Sequence, residues 1–142
     1  MGMIYLADTN IVSEIMRPQP DSFVYAYWQA RNSEIAITSV TWHELLVGTL
    51  RLPASIRRTA FSSFLHEQVM SIIPILPYDQ AAAAWHAQER ARLMQIGRTP
   101  SFPDGQIAAI AATNNLILVT RNTADFANFA NLRLENWFDP TA

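Results

Sequence analysis

The 142-residue sequence has no cysteine, no lysine and only four glycines. Without cysteine there is no disulfide, no thiolate nucleophile and no cysteine-based zinc site. Without lysine there is no phosphate loop ending in Gly-Lys-Ser/Thr, because the ammonium group that reaches the outer phosphates is missing. Gly2, Gly48, Gly97 and Gly105 never form a Gly-x-Gly-x-x-Gly turn, which excludes a dinucleotide site of that kind. His43, His66 and His86 are too scattered to suggest a histidine-rich metal site. No apolar run reaches the length of a membrane span, and the longest candidate is interrupted by Thr113-Asn114-Asn115. The N-terminus lacks the basic and apolar segments of a secretion signal. Leu6 stands where a myristoylation start needs Ser or Thr. These absences predict a cytoplasmic protein with no membrane association.

Half of the residues are hydrophobic, enough for a sizeable core, and the length fits one domain over residues 1–142. The net charge of −2 does not advertise a nucleic-acid binder. All ten basic residues are Arg. Arg grips phosphate with a bidentate fork, but genomic base composition produces the same bias.

The apolar pattern predicts strands over Ile4–Ala7, Ile35–Thr38, Ile72–Leu76, Leu116–Val119 and Leu132–Asn136. Pro74 inside the third of these argues for an edge or irregular strand. Helices are expected over Ile11–Met16, from Asp21 through Trp28, over Ser39–Leu50, Ala54–Met70, Asp79–Ile96, Pro103–Asn114 and Thr123–Phe129. Asp21 and Asp79 are suited to cap their helices, and Gly97 to stop one. Such alternation predicts an α/β fold: a parallel sheet sandwiched by helices on both faces, α/β/α.

In such sheets ligands bind beyond the carboxyl ends of the strands. Four acids fall there or just inside the following helix. Asp8 ends the first strand. Asp125 follows the fourth strand and the turn Thr120-Arg121-Asn122. Asp104 opens a helix, and Ile107, Ala108 and Ala111 turn it towards the protein. Glu44 lies in the otherwise acid-free stretch 35–50. Each has a plain alternative. Asp8 suits a helix cap, Asp104 a first-turn acid facing the helix dipole, and Asp125 a solvated loop. For Glu44, Thr41-Trp42-His43-Glu44 matches a capping box, whereas a helix starting at Ser39 leaves Glu44 unpaired in mid-helix. Together the four acids repel one another, and a divalent cation is the usual reason to gather them. Glu14, Glu67, Glu89, Glu135 and Asp139 read as surface charges. Phe23, Tyr27 and Trp28 on one helix, and Phe61, Phe64 and Leu65 on another, are candidate exposed stripes for a second chain, or else core.

These segments resemble the PIN-domain family, most closely the bacterial VapC toxins and the FitB proteins. Leu6-Ala7-Asp8-Thr9-Asn10-Ile11-Val12-Ser13 is similar to the family's opening. Ser39-Val40-Thr41-Trp42-His43-Glu44-Leu45 with Gly48, Phe102-Pro103-Asp104-Gly105-Gln106-Ile107-Ala108 and Thr120-Arg121-Asn122-Thr123-Ala124-Asp125-Phe126 are similar to its later motifs. Four motifs in order, over nearly the whole chain, are specific where each alone is weak. The resemblance implies a Mg²⁺- or Mn²⁺-dependent endoribonuclease, a homodimeric toxin blocked by a small antitoxin protein. It implies that Asp8, Glu44 and Asp104 are the acidic core that binds metal. Many members have a further acid where this chain has Asn122, while others rely on the acid before Phe, here Asp125. The family hydroxyl after the fourth strand falls on Thr120. RNA would be held by Arg, with Arg17, Arg98 and Arg121 near the expected edge. The rival expectation is a FitB-like partner in a DNA-binding regulatory complex with little or no nuclease activity. A receiver domain shares the architecture, but that family uses a lysine, which is absent here.

Overall fold

The computed structural model describes residues 2–139. Five short strands form one parallel sheet in the order β3-β2-β1-β4-β5. They are β1 (Tyr5–Ala7), β2 (Ile35–Thr38), β3 (Ile75–Leu76), β4 (Ile117–Val119) and β5 (Leu134–Glu135). Helices α1 (Thr9–Ile15), α2 (Ser22–Arg31), α3 (Ser39–Leu50), α4 (Ile56–Phe64), α5 (Gln80–Gln95), α6 (Phe102–Thr113) and α7 (Thr123–Phe126) connect them. Pairing is in register from Tyr5 opposite Ile35 on one side of β1 to Tyr5 opposite Ile117 on the other.

The strands divide the core in two by simple alternation. Leu6, Ala36 and Leu118 face a layer completed by Ala82 and Leu93 of α5, by Ile107, Ala108 and Ala111 of α6, and by Phe126. Ala7, Ile35, Ile37 and Val119 face the opposite layer, with Ile11 and Val12 of α1, Val24 and Trp28 of α2, Leu45 of α3 and Trp137. Burial on both sides explains why the central strands read as unbroken apolar runs. The architecture is the expected α/β/α sandwich.

Several boundaries differ from expectation. The segment expected as one helix over Ala54–Met70 is α4, capped by Ser55, followed by a π-helical turn at Leu65–Met70. The wider turn puts Leu65 and Val69 into the core. Residues 72–74 do not join the strand; β3 is only Ile75–Leu76, at the sheet edge as the proline suggested. Helix α6 starts at Phe102 with Ser101 as its cap, so Pro103 occupies the second position rather than the first. Gly97 ends the α5 segment with φ +69°, where a side chain would be strained.

The two apolar stripes are not exposed as units. Trp28 and Leu65 are buried in the core, whereas Phe23 stays exposed. The surface instead shows Leu50 and Ile56 near the α3–α4 junction and Met94, Ile96 and Phe102 near the α5–α6 junction.

Candidate active site

The strand order reverses at β1, whose neighbours β2 and β4 are reached by connections leaving in opposite directions. The crevice at such a switch point is where side chains from separate loops converge. Asp8 leaves β1 there and Thr120 leaves β4. Asp8 is 7% exposed and Thr120 wholly buried. Asp8 caps α1: its Oδ1 accepts from the backbone N–H of Thr9 at 2.8 Å. Its Oδ2 accepts from Thr120 Oγ1 at 2.9 Å and from Asn10 Nδ2 at 3.3 Å. Asp8 is thus both a cap and a member of a polar network.

Glu44 is free of the capping box. Thr38, the last residue of β2, caps α3 by accepting from the Thr41 N–H at 2.9 Å. Glu44 then stands in mid-helix, exposed, and accepts from Thr9 Oγ1 at 2.7 Å. Thr9 therefore bridges the two acids, its amide on Asp8 and its hydroxyl on Glu44. Asp104 is half-buried in the first turn of α6.

Asp8, Glu44 and Asp104 line one open cleft of about 640 Å³, with Thr9, Asn10, Glu14, Arg17, Arg57, Arg121 and Asn122 among its other walls. Asp125 does not line it. Asp125 lies exposed in α7 and lines a neighbouring cavity of about 400 Å³ together with Asp104, Ser101 and Arg98. Asp104 is the acid common to both spaces.

Burial is the first cause that pushes the Asp8 carboxyl above the usual range; the charges of Asp104 and Glu44 add to it, against the lowering bonds from Thr9 and Thr120. Burial likewise raises Asp104, with Asp125 and Glu44 adding repulsion and Ser101 opposing. None of these four acids belongs to either of the ion pairs among the described residues, which are Arg17–Glu14 and Arg92–Glu89. Arginines line the same cleft, but among the described residues none stands within ion-pair distance of these acids.

Among the described residues no three His, Asp or Glu side chains are grouped tightly enough to form a ready-made cation cage. The donor set still suits a hard divalent ion. Its oxygens are carboxylates, the cleft is open to water, and Mg²⁺ characteristically keeps several waters while using one or two protein carboxylates.

Three cleft residues escape a reading of the sequence by charge alone. Glu14, expected on the surface, is buried: it accepts from the Asp21 N–H at 2.8 Å and pairs with Arg17 at 3.3 Å. Its position three residues after Ile11 put it on the inward face of α1, and that signal was available. Glu89 and Glu135 are also partly covered, bound to Arg92 and to Trp137 Nε1. Arg57 faces the cleft from α4, stacked on Phe61 four residues later. Asn10 joins the loops after β1 and β4, accepting from the Arg121 N–H at 3.0 Å. Of the arginines expected at the edge, Arg17 and Arg121 line the acidic cleft and Arg98 the second cavity.

A family model for the PIN domain matches residues 5–132. The chain belongs to the PIN-domain family. Among its relatives, the VapC ribonuclease Y4jK of Sinorhizobium fredii is 32% identical over 136 residues, covering 94% of this chain and 96% of that protein. The tRNA(fMet)-specific endonuclease VapC of Shigella flexneri is 35% identical over 133 residues, covering 94% and 97%. A solved structure of FitAB bound to an IR36 DNA fragment superposes with a TM-score of 0.87 at 28% identity, covering 95% of this chain and 96% of that one. Asp8 and Thr120 directly follow the carboxyl ends of β1 and β4, where the strand boundaries in the sequence put them. No helix among the described residues is long and apolar enough to cross a membrane.

Proposed function

We propose that this PIN domain is a divalent-cation-dependent endoribonuclease, the toxin of a toxin–antitoxin pair. The observation that carries the reading is the cleft in which Asp8, Glu44 and Asp104, none of them in an ion pair among the described residues, share the walls with Arg17, Arg57 and Arg121. Asp8, Glu44 and Asp104 would hold Mg²⁺ or Mn²⁺, with Asp125 acting from the adjoining cavity through water. Such a cation, when bound, supplies Lewis acidity towards a phosphoryl oxygen and lowers the pKa of water.

The chain's own part is positioning. Thr120 and Asn10 hold one oxygen of Asp8, and Thr9 holds the other while fixing Glu44. The arginines grip phosphates on either side of the scissile bond. A single RNA strand would lie along the open cleft. Among the described residues no histidine lines the cleft, so the acids would be the side chains available to orient the attacking water and take up its proton. The protein would work as a homodimer and be silenced by a small antitoxin that brings a cation of its own to the acids. The relatives named as VapC ribonucleases, and the paired FitAB assembly, support this assignment.

The test is cleavage of RNA, single-stranded DNA and duplex DNA by the isolated chain, with Mg²⁺, with Mn²⁺ and in EDTA, beside Asp8→Asn. Metal-dependent RNA cleavage abolished by Asp8→Asn is the expected result. The DNA-bound FitAB structure favours a second reading, a regulatory partner with little nuclease activity. Absence of cleavage, with promoter DNA bound only alongside the antitoxin, would select it.

A further inference from the structure

We infer that His86 and Gly105 form a spacer that sets the position of Asp104, making His86 a positioning residue of the cleft. The inference rests on the cation-dependent reading above. Asp8 and Glu44 are locked together by Thr9, whose amide and hydroxyl bond to one acid each. Asp104 has no such tie. Among the described residues no hydrogen bond joins it to Asp8, Thr9 or Glu44; its partner is Ser101, the cap of its own helix. The place of Asp104 in the cleft is therefore set by how α6 packs.

Helix α6 packs against α5, and at Gly105 the approach is tight. Gly105, the residue after Asp104, faces the imidazole of His86. A Cβ there would fall inside the van der Waals envelope of Nε2, 2.6 Å from Cδ2 and 2.8 Å from Cε1. Contacts that short do not occur between real atoms, so any side chain at 105 must move the ring or the helix. The ring is not free to move. Tyr78 Oη bonds Nδ1 at 2.8 Å, and the Phe102 ring lies 5.0 Å away, centroid to centroid. His86 is 2% exposed, and its Nε2 has no hydrogen-bond partner. A buried polar nitrogen left unpaired is unfavourable, and an apolar residue would fill the same volume without it. Retaining a flat, tethered ring there is explained by its use as a gauge of fixed thickness. The bare backbone of Gly105 rests on it, and Asp104 is carried one residue away.

The experiment compares wild type, Gly105→Ala and His86→Ala/Gly105→Ala, using Mn²⁺ titration calorimetry on the full chain, RNA cleavage, and circular dichroism to establish folding. Gly105→Ala should weaken Mn²⁺ binding about tenfold, as loss of supporting contacts around a metal does. It should slow cleavage about 100-fold, the effect of a displacement near 1 Å. Removing the ring in the double variant should recover part of both losses, because the added methyl then has room. A folded Gly105→Ala protein with wild-type affinity and rate would overturn the inference, as would a folded double variant no better than the single. If Gly105→Ala does not fold, Tyr78→Phe decides. It frees the ring without adding volume, and Mn²⁺ affinity should fall about tenfold; unchanged affinity would overturn the inference. A wild-type chain that neither binds Mn²⁺ nor cleaves RNA would remove the cation-dependent reading itself, and this inference with it.

Discussion

Thr120 Oγ1 donates a 2.9 Å hydrogen bond to Asp8 Oδ2, joining the ends of β4 and β1 across the switch point of the sheet. The same hydroxyl oxygen accepts from the Asn122 N–H at 3.0 Å. Thr120→Val keeps the shape and removes both bonds, together with the one from Asn10 Nδ2 at 3.4 Å. Stability should fall by about 1–3 kcal/mol in urea titrations, since buried polar groups lose partners. The Thr120 bond lowers the Asp8 pKa, so without it that pKa rises further. The acid limb of a cleavage–pH profile should accordingly move to higher pH. A profile that stays in place would dissociate Thr120 from Asp8 ionisation.

Asp104→Asn tests whether the acids are gathered against their own repulsion. The folded-state pKa of Asp104 is raised above 3.8, chiefly by burial and then by Asp125 and Glu44. A raised carboxylate pKa means the folded state holds the proton more tightly, so stability declines as pH climbs from 3.8 through the folded value. Replacing the acid removes that decline. In EDTA at neutral pH, Asp104→Asn should melt at the wild-type temperature or above, and the difference should vanish as pH falls towards 3.8. RNA cleavage should be lost at the same time. A variant that melts lower in EDTA and still cleaves would show Asp104 to be a structural first-turn acid.

Glu14 is expected to separate from the catalytic acids although it lines the same cleft. It is buried by its bonds to the Asp21 N–H and Arg17, which tie α1 to the start of α2. Glu14→Ala leaves that N–H without its acceptor and should lower stability by about 1–3 kcal/mol. Mn²⁺ affinity should remain within about twofold, because the side chain already has its partners and sits outside the Thr9 bridge. Calorimetry alongside a denaturant curve measures both.

Arg17→Ala, Arg57→Ala and Arg121→Ala should each raise KM for RNA more than they lower kcat. If each meets one phosphate, the slope of log affinity against log salt should flatten by about 0.7 per arginine removed. Arg133, which bonds the Asn115 carbonyl at 3.0 Å and does not line the cleft, is the control. Loss of affinity with an unchanged salt slope would argue against phosphate contact.

The sheet and the place of Asp8 could be read from the sequence because the central strands are buried on both faces and β1 ends abruptly in an acid. Glu44 was less legible. Thr38, Ser39 and Thr41 are all competent caps; Thr38, still paired with Leu76 of β3 as the last residue of its strand, takes the role. The side of Asp104 on which Asp125 falls was not legible at all. It follows from how Phe126 and Phe129 dock into the core, a long-range fact that a four-residue helix does not carry in its own pattern. Trp28 and Leu65 show the same limit. Their helical spacing marked an apolar stripe, but packing against the sheet decided which members of it stayed outside.

The central strand β1 takes its two neighbours at very different times. Tyr5 pairs with Ile35 and with Ile117. On a ribosome, the first pairing becomes possible early in synthesis; the second waits until β4 has cleared the exit tunnel. Closing so long a loop is also slow, because its entropy must be overcome before the contacts form. Until then Asp8 lacks the Thr120 hydroxyl, and the crevice is incomplete. A nascent chain therefore passes through a stage in which β1 has only β2 beside it, and the cleft waits on the emergence of β4.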